Sequence, residues 1–326
     1  MIGSGVITSY SSSLPKNTKT SHAQQTPLII DGGAPGGLYL ASAAALCQSM
    51  QGQNTQAPPC FIRVSRGSWE NIQEIAQKQA TLALVQSDVQ FAALYQGKNN
   101  IGPQPQLRSV LSLHAEPLTL LVRKDSKINN ITDIKGKKIG FSTGHAGQEH
   151  MVLSLLQGVG INREEMAQFY DLKPTEISSA LCGEKIDIGI YTVAHPSGLI
   201  MEAINQCNLR FLSIDQNSLN IIHSHYPYYT PTNIPLQSYG FENQESKTFG
   251  IRATLVADAT TEAAVIERFV SLVLDNIQIL RSAHPVFADL KITDMMGVGA
   301  TASIHLGAKA AFDAWQAKQA INKSEN

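Results

Sequence analysis

Two glycine-bearing stretches hold the residues best placed for chemistry. "GGAPGG" (Gly32–Gly37) follows the apolar run Leu28–Ile30 and leads into a pattern of helical period; "STGHAGQEH" (Ser142–His150) follows "KKIGF" and repeats the design. A strand that ends in such a turn and opens a helix leaves backbone N–H groups unpaired at the first helical turn. The helix dipole also favours negative charge there. The chemistry on offer is the holding of a carboxylate or another anion, unless the first turn is a glycine-rich connection with no ligand. A nucleotide-binding P-loop is excluded, because Leu38 and Tyr39 follow where Gly-Lys-Ser/Thr would be needed. The Tyr39 hydroxyl either meets a ligand or packs.

No catalytic constellation is evident. There is no G-x-S-x-G elbow. Asp88 and Glu116 could form a carboxylate pair, but their spacing does not require it. His145 and His150 are five apart, about 500° around a helix at 100° per residue, so they diverge and cannot form a zinc-protease helix. His223 and His225 would share one strand face, with no further ligand near, and read as surface histidines. No metal and no cofactor is expected. The strand Leu82–Val85 instead delivers Gln86, Ser87 and Asp88 at its carboxyl end, where open α/β sheets place ligand contacts. Upstream, Ser68 is the expected cap of a helix with Glu70 and Asn71 in its first turn. Polar groups in such places, without a nucleophile and base, point to binding.

The elements that must position these groups alternate. Short apolar strands (28–30, 61–64, 82–85, 118–122) are interleaved with helical patterns (36–50, 68–79, 89–95), which predicts an α/β fold, mostly parallel strands with helices on both faces. Tyr39, Ala43, Cys47 and Met50 form one core stripe. A second half follows, with strands at 186–193 and 209–214 and a helix at 200–205. The Pro- and Tyr-rich segment 221–248 shows little periodicity and reads as an ordered loop. A strand, "FGIRATLVAD", and a helical stretch over 262–282 close the pattern. The expectation is two α/β lobes joined by a two-crossing hinge: 27–121 with 252–326, and 122–251. Residues 1–26 are polar, without the apolar core of a signal peptide, and are expected to be a disordered leader, a tag remnant or what processing leaves.

Composition sets the outer bounds. The chain has 326 residues, 43% hydrophobic and 16% charged, with a net charge of −1. That is a globular protein large enough for two cores, with no basic surface for nucleic acid. Four cysteines sit as two local pairs, Cys47 with Cys60 and Cys182 with Cys207. Two structural disulfides in an oxidising compartment would explain them; so would four buried thiols.

Taken together, "GGAPGG" with Tyr39, "RGSWEN", "LALVQSDV", "LRSVLSLHAEPLTLLVRKDS", "DIKGKKIG", "ALCGEKIDIGIYT", His195-Pro196, "YPYYTPTNIP", "SYG", "FGIRATLV", "AHPVFADL" and "IHLGA" resemble the TAXI-type solute-binding proteins of TRAP transporters. The resemblance covers about Leu28 to Phe312. It implies a type II periplasmic binding-protein fold, an exported, periplasmic, monomeric protein, and delivery of a small organic acid or amino acid (glutamate or 2-oxoglutarate-like) to a TRAP permease. It also implies both disulfides, since one branch of the family carries cysteines at these places. The residues it marks for the pocket are Gly36, Tyr39, Ser68, Gln86, Ser87, Asp88, Gln148, His195 and Tyr239; Thr143 and His145 of the second glycine-rich loop are further candidates. Two departures stand out. Ala146 and Glu149 replace a serine and an arginine of the second glycine-rich loop, so that attraction for a carboxylate becomes repulsion unless protonated His145 compensates. "IPLQSY" replaces Ile-Pro-Gly-Gly-x-Tyr, crowding that loop with Leu236 and Gln237. An enzyme on the same fold, or a sensor or adhesion module with an altered pocket, are the rival functions.

Overall fold

The computed structural model describes residues 27–52, 57–97, 101–142 and 148–324. The leader, Thr143, His145 and Ala146 therefore lie outside the described residues. The first lobe opens with β1 (Leu28–Asp31), α1 (Leu38–Gln51), β2 (Cys60–Arg63), α2 (Ser68–Ala76), β3 (Leu82–Gln86) and α3 (Ser87–Tyr95). The long β4 (Leu107–Arg123) then leads into β5 (Lys138–Phe141), α4 (Gln148–Gly158), β6 (Gln168–Asp171), α5 (Pro174–Cys182), β7 (Ile188–Thr192), α6 (Gly198–Gln206), β8 (Leu209–Phe211), α7 (Gln216–His225) and β9 (Thr230–Pro235). The second long strand, β10 (Glu245–Asp258), brings the chain back to α8 (Ala263–Asp275), α9 (Ile277–Ala283), α10 (Ile292–Met295) and α11 (Leu306–Ser324).

The strands join in the order β2-β1-β3-β10-β4-β7-β5-β6, with β8 also on β4 and β9 also on β10. Within each lobe the strands that alternate with helices are parallel: β2, β1 and β3 in one, β6, β5 and β7 in the other. The two long strands run antiparallel to their neighbours and belong to both lobes. Residues Leu107–Pro117 of β4 pair with β10, whereas Leu118–Val122 pair with β7. Strand β10 likewise pairs with β9 up to Gly250 and with β3 from Ala253. Partners change after Pro117 in β4 and between Gly250 and Ala253 in β10.

Each lobe has cores on both faces of its sheet. Leu46, Met50, Leu84, Leu255 and Phe269 anchor one face of the first lobe, and Ile72, Val85 and Val256 the other. In the second lobe the corresponding groups are Ile139, Leu155 and Ile190, and Ile177, Leu181 and Tyr239. The cysteines are bonded as Cys47–Cys60 and Cys182–Cys207, with Cα separations of 5.7 and 5.6 Å. The first ties α1 to the edge strand β2, the second α5 to the end of α6.

Three local expectations are corrected. Segment 221–248 is not a loop: it holds the end of α7, all of β9 and the start of β10. His223 and His225 are on the last turn of α7, two residues apart and so on different faces. The helical stretch 262–282 is two helices, broken at Asn276.

Candidate ligand-binding cleft

A cavity of about 950 Å³ lies between the lobes. Its first-lobe wall is the glycine turn after β1, the start of α2, the end of β3 and Glu116 of β4; the second lobe faces it with the β7–α6 connection, Thr192 to Ser197. Local sequence explains the wall. Gly36 lies at φ +78° and Gly67 at +114°, a region that L side chains rarely adopt, so both turns need glycine. Gly67, not Ser68, caps α2; Ser68 is the first helical residue, and its Oγ accepts from the backbone N–H of Gln86 at 3.1 Å. The buried Asn71 amide donates to the carbonyls of Gly32 (2.7 Å) and Leu84 (2.6 Å), binding α2 to the ends of β1 and β3. Beneath the turn, Arg63 grips buried Asp31 with two hydrogen bonds of 2.6 and 2.8 Å and reaches Glu74 at 2.9 Å. The charge of Asp31 is thereby paired, as burial demands.

Four helices begin at this cavity, one of them α3, whose preceding residue Gln86 and first-turn Val89 both line it. Leu38 of α1 and Ser68 of α2 line it, as does Ser197, the residue before α6. Each presents the positive end of a dipole, worth about 0.3–1 kcal/mol toward an anion, although the Ile200 N–H of α6 is already taken by Ser197 Oγ. The lining side chains are less uniform. Arg66 is paired with Glu70 at 3.1 Å, while Glu116 is without a basic partner on its cleft side among the described residues.

The expected pocket residues separate into two groups. Gly36, Tyr39, Ser68 and Gln86 line the cavity. Ser87, Asp88, Gln148, His195 and Tyr239 lie outside its wall. Ser87 is fully buried, donating to Tyr228 O (3.0 Å) and accepting from the N–H of Arg252 (3.1 Å). Gln148 donates to Ile190 O at 3.1 Å. Asp88 is 9% exposed; burial, with the field of Glu116, pushes its carboxyl up to about 7 against the pull of Val89 N–H. Burial and the Glu116 and Asp88 carboxylates hold the Tyr39 phenol well above its ordinary value, and its hydroxyl forms no hydrogen bond of normal geometry.

His195 and Tyr239 brace the second-lobe wall from behind rather than face into the cleft. Tyr239 Oη accepts from Ser197 N–H at 2.7 Å and lies 2.5 Å from His195 Nδ1; His195 Nε2 lies 2.8 Å from Thr119 Oγ1, which is 3.4 Å from Pro117 O. One assignment satisfies every group: the phenol donates to Nδ1, Nε2–H donates to the threonine, and the threonine donates to the carbonyl. The imidazole is then neutral, and burial lowers it to about 4. The chain holds the cis His195–Pro196 connection against the cleft.

Glu149 is not the repulsive group its sequence position suggested. Its carboxylate is half-exposed on α4, accepts from Arg163 at 2.9 Å, and does not line the cavity. Leu236 is buried among Ile177, Leu181 and Tyr239 and does not crowd the cleft. Sequence reasoning missed Trp69, Thr192 to Ala194, His284 and Val286 as lining groups, and treated Glu116 only as half of an unsupported pair. Glu116 could have been found from the end of β4, had that strand been traced.

The model of one protein family matches residues 30–313. The chain belongs to the NMT1-like family. Among solved structures, this NMT1-like chain is similar to a TctC solute-binding protein from Polaromonas, with 13% identity, 79% of this chain and 86% of that one covered, and a TM-score of 0.55. It is also similar to the periplasmic sulfonate-binding protein SsuA from Methylobacillus flagellatus, with 14% identity, 78% and 69% covered, and a TM-score of 0.50. These likenesses establish the two-lobed α/β fold of periplasmic binding proteins. Among the described residues no helix is long and apolar enough to cross a membrane, and no group of three His, Cys, Asp or Glu could hold a metal.

Proposed function

We propose that this NMT1-like chain is an extracytoplasmic solute-binding protein of a membrane transport system. In this reading it captures a small organic acid or amino acid in the interlobe cleft and hands it, as a monomer, to the permease of a TRAP transporter of the TAXI type. The single observation that carries the reading is the cavity of about 950 Å³ onto which α1 and α2 from one lobe and α6 from the other all open. A carboxylate there gains N–H donors from both lobes at once, so it binds the approximated lobes better than the separated ones and shifts the population toward closure. Two uninterrupted strands connect the lobes, which suits a small rotation better than independent motion.

The pocket residues follow from the same reading. Gly36, Tyr39, Ser68 and Gln86 touch the solute, Asp88 underlies them, and the pair His195 and Tyr239 fixes the α6 entrance. Gln148 braces the second lobe. The test is native mass spectrometry of the purified protein, followed by a thermal-shift panel of carboxylates, sulfonates and amino acids. A retained small molecule, or a panel member that raises the melting temperature in a saturable way, supports transport binding. Turnover of a panel member would replace this reading with an enzyme, and a complete lack of response would remove it.

A further inference from the structure

The cleft is built for an anion at its helix ends, yet its deepest charged side chain is a carboxylate. Glu116 stands at the last β4 position before Pro117, where the strand passes from one lobe to the other. Its side chain is 14% exposed and lines the cavity. Behind it is His114, 3% exposed, with Nε2 3.4 Å from Glu116 Oε1 and neither ring nitrogen in a hydrogen bond. Beside it is Tyr39, whose hydroxyl is buried and forms no hydrogen bond of normal geometry, although Glu116 is its nearest acceptor. The only basic side chain in the described cavity wall other than His284 is Arg66, which is largely exposed and already held by Glu70. A carboxylate lining a cleft favours a guest of opposite charge, and on the cleft side no basic group among the described residues is paired with it.

We propose that the solute carries a protonated amine and that Glu116 receives it, making this residue the determinant that separates amino-bearing solutes from their deaminated counterparts. The inference rests on the reading of the cleft as the solute site. An ammonium has three N–H donors and no acceptor, so it suits a carboxylate, with the Gln86 amide in the same cavity wall as a further acceptor. Tyr39 is a positioning residue here: its O–H has Glu116 as the nearby acceptor, and donating to it would aim the carboxylate at the cleft. With the amine at Glu116, an acid group on the same molecule reaches the N-termini of α1 and α2, which begin in the same wall. The two halves of a zwitterion thus meet opposite features of a single lobe, and closure adds α6.

The test is calorimetry on the whole chain with matched pairs that differ in the amine: L-glutamate against 2-oxoglutarate, L-alanine against pyruvate, and 4-aminobutyrate against butyrate. The expected result is that, in any pair that binds, the amine-bearing member binds at least about tenfold tighter, the effect of one charged hydrogen bond. Glu116→Gln should erase the preference by weakening the amine-bearing member at least about tenfold, and Glu116→Asp should retain part of it. Thermal melts of both variants show that the fold is intact. Deaminated members binding as tightly as their partners, or a preference that survives Glu116→Gln, overturns the assignment while leaving solute binding in place. Failure of every pair and of the wider panel removes the solute-site reading itself.

Discussion

At the scale of single residues, the wall of the cleft is set by buried titratable groups. Asp88 holds its proton more tightly folded than unfolded, so its contribution to stability is full at low pH. That contribution drains away as pH rises from the ordinary carboxylate range, near 4, through the folded value of about 7. Asp88→Asn should therefore melt higher than the parent at pH 8, by at least about 2 °C, and the gap should vanish near pH 4. Melting curves across that range check it; a gap independent of pH would contradict the burial argument. Tyr239 makes a different prediction. Its hydroxyl serves Ser197 N–H and His195 together, so Tyr239→Phe leaves two groups unsatisfied and should cost about 1–3 kcal/mol by denaturant titration. The same change loosens the entrance to α6 and should weaken solute binding in calorimetry, although the side chain does not line the cavity.

At the scale of elements, the glycine turn after β1 is held by what surrounds it rather than by its own residues. Asn71 ties α2 to the carbonyls of Gly32 and Leu84, and Asp31 with Arg63 secures β1 to β2. The Cys182–Cys207 bond closes a separation of 25 residues and clamps α5 to α6. Loop-closure entropy gives it about 3 kcal/mol. Replacing both cysteines by serine should lower the melting temperature by on the order of 5 °C, measured by circular dichroism without reductant. An unchanged melt would mean that packing of α5 on α6 suffices without the bond.

How legible these elements were depended on where polar residues fall. The β1–α1 and β3–α3 junctions were plain, because Leu28–Ile30 and Leu82–Val85 are short apolar runs followed by turn or cap residues. Only the second half of β4 was recognised, because buried Ser109, Ser112 and His114 interrupt its first half and disguise a strand covered on both faces. Strand β9 was missed for a related reason: Pro231 and Pro235 argue against a strand. An edge strand such as β9 tolerates them. The cleft wall divides in the same way. Gly36 and Tyr39 at the first glycine turn and Gln86 at the end of β3 line it, Ser87 and Asp88 do not, and Glu116 and the 192–194 wall depend on strand pairing that no local pattern carries.

At the scale of the whole molecule, the lobes are joined at the back and open at the front. Strands β4 and β10 exchange partners there. Behind the cleft, Phe91 of α3 packs on Tyr228 at a ring distance of 4.9 Å, and Tyr228 on Tyr229 at 4.7 Å. Ser87 bonds across the same junction to Tyr228. In the proposed reading these contacts serve as a pivot that closure preserves, while the first-turn N–H groups of α1, α2 and α6 gain from approaching one guest. Small-angle scattering should record a smaller radius of gyration when solute saturates the protein, and no change with a solute that leaves the melting temperature alone.

The most direct check uses the two tryptophans of the chain. Trp69 lines the cleft and Trp315 packs on the outer core of the first lobe, so Trp315→Phe leaves a single reporter at the site. Titrating that variant with a solute that stabilises the protein should change Trp69 emission saturably, at one solute per chain, with the midpoint found by calorimetry. A stabilising solute that binds with full stoichiometry yet leaves Trp69 emission untouched would place the guest elsewhere and contradict the account.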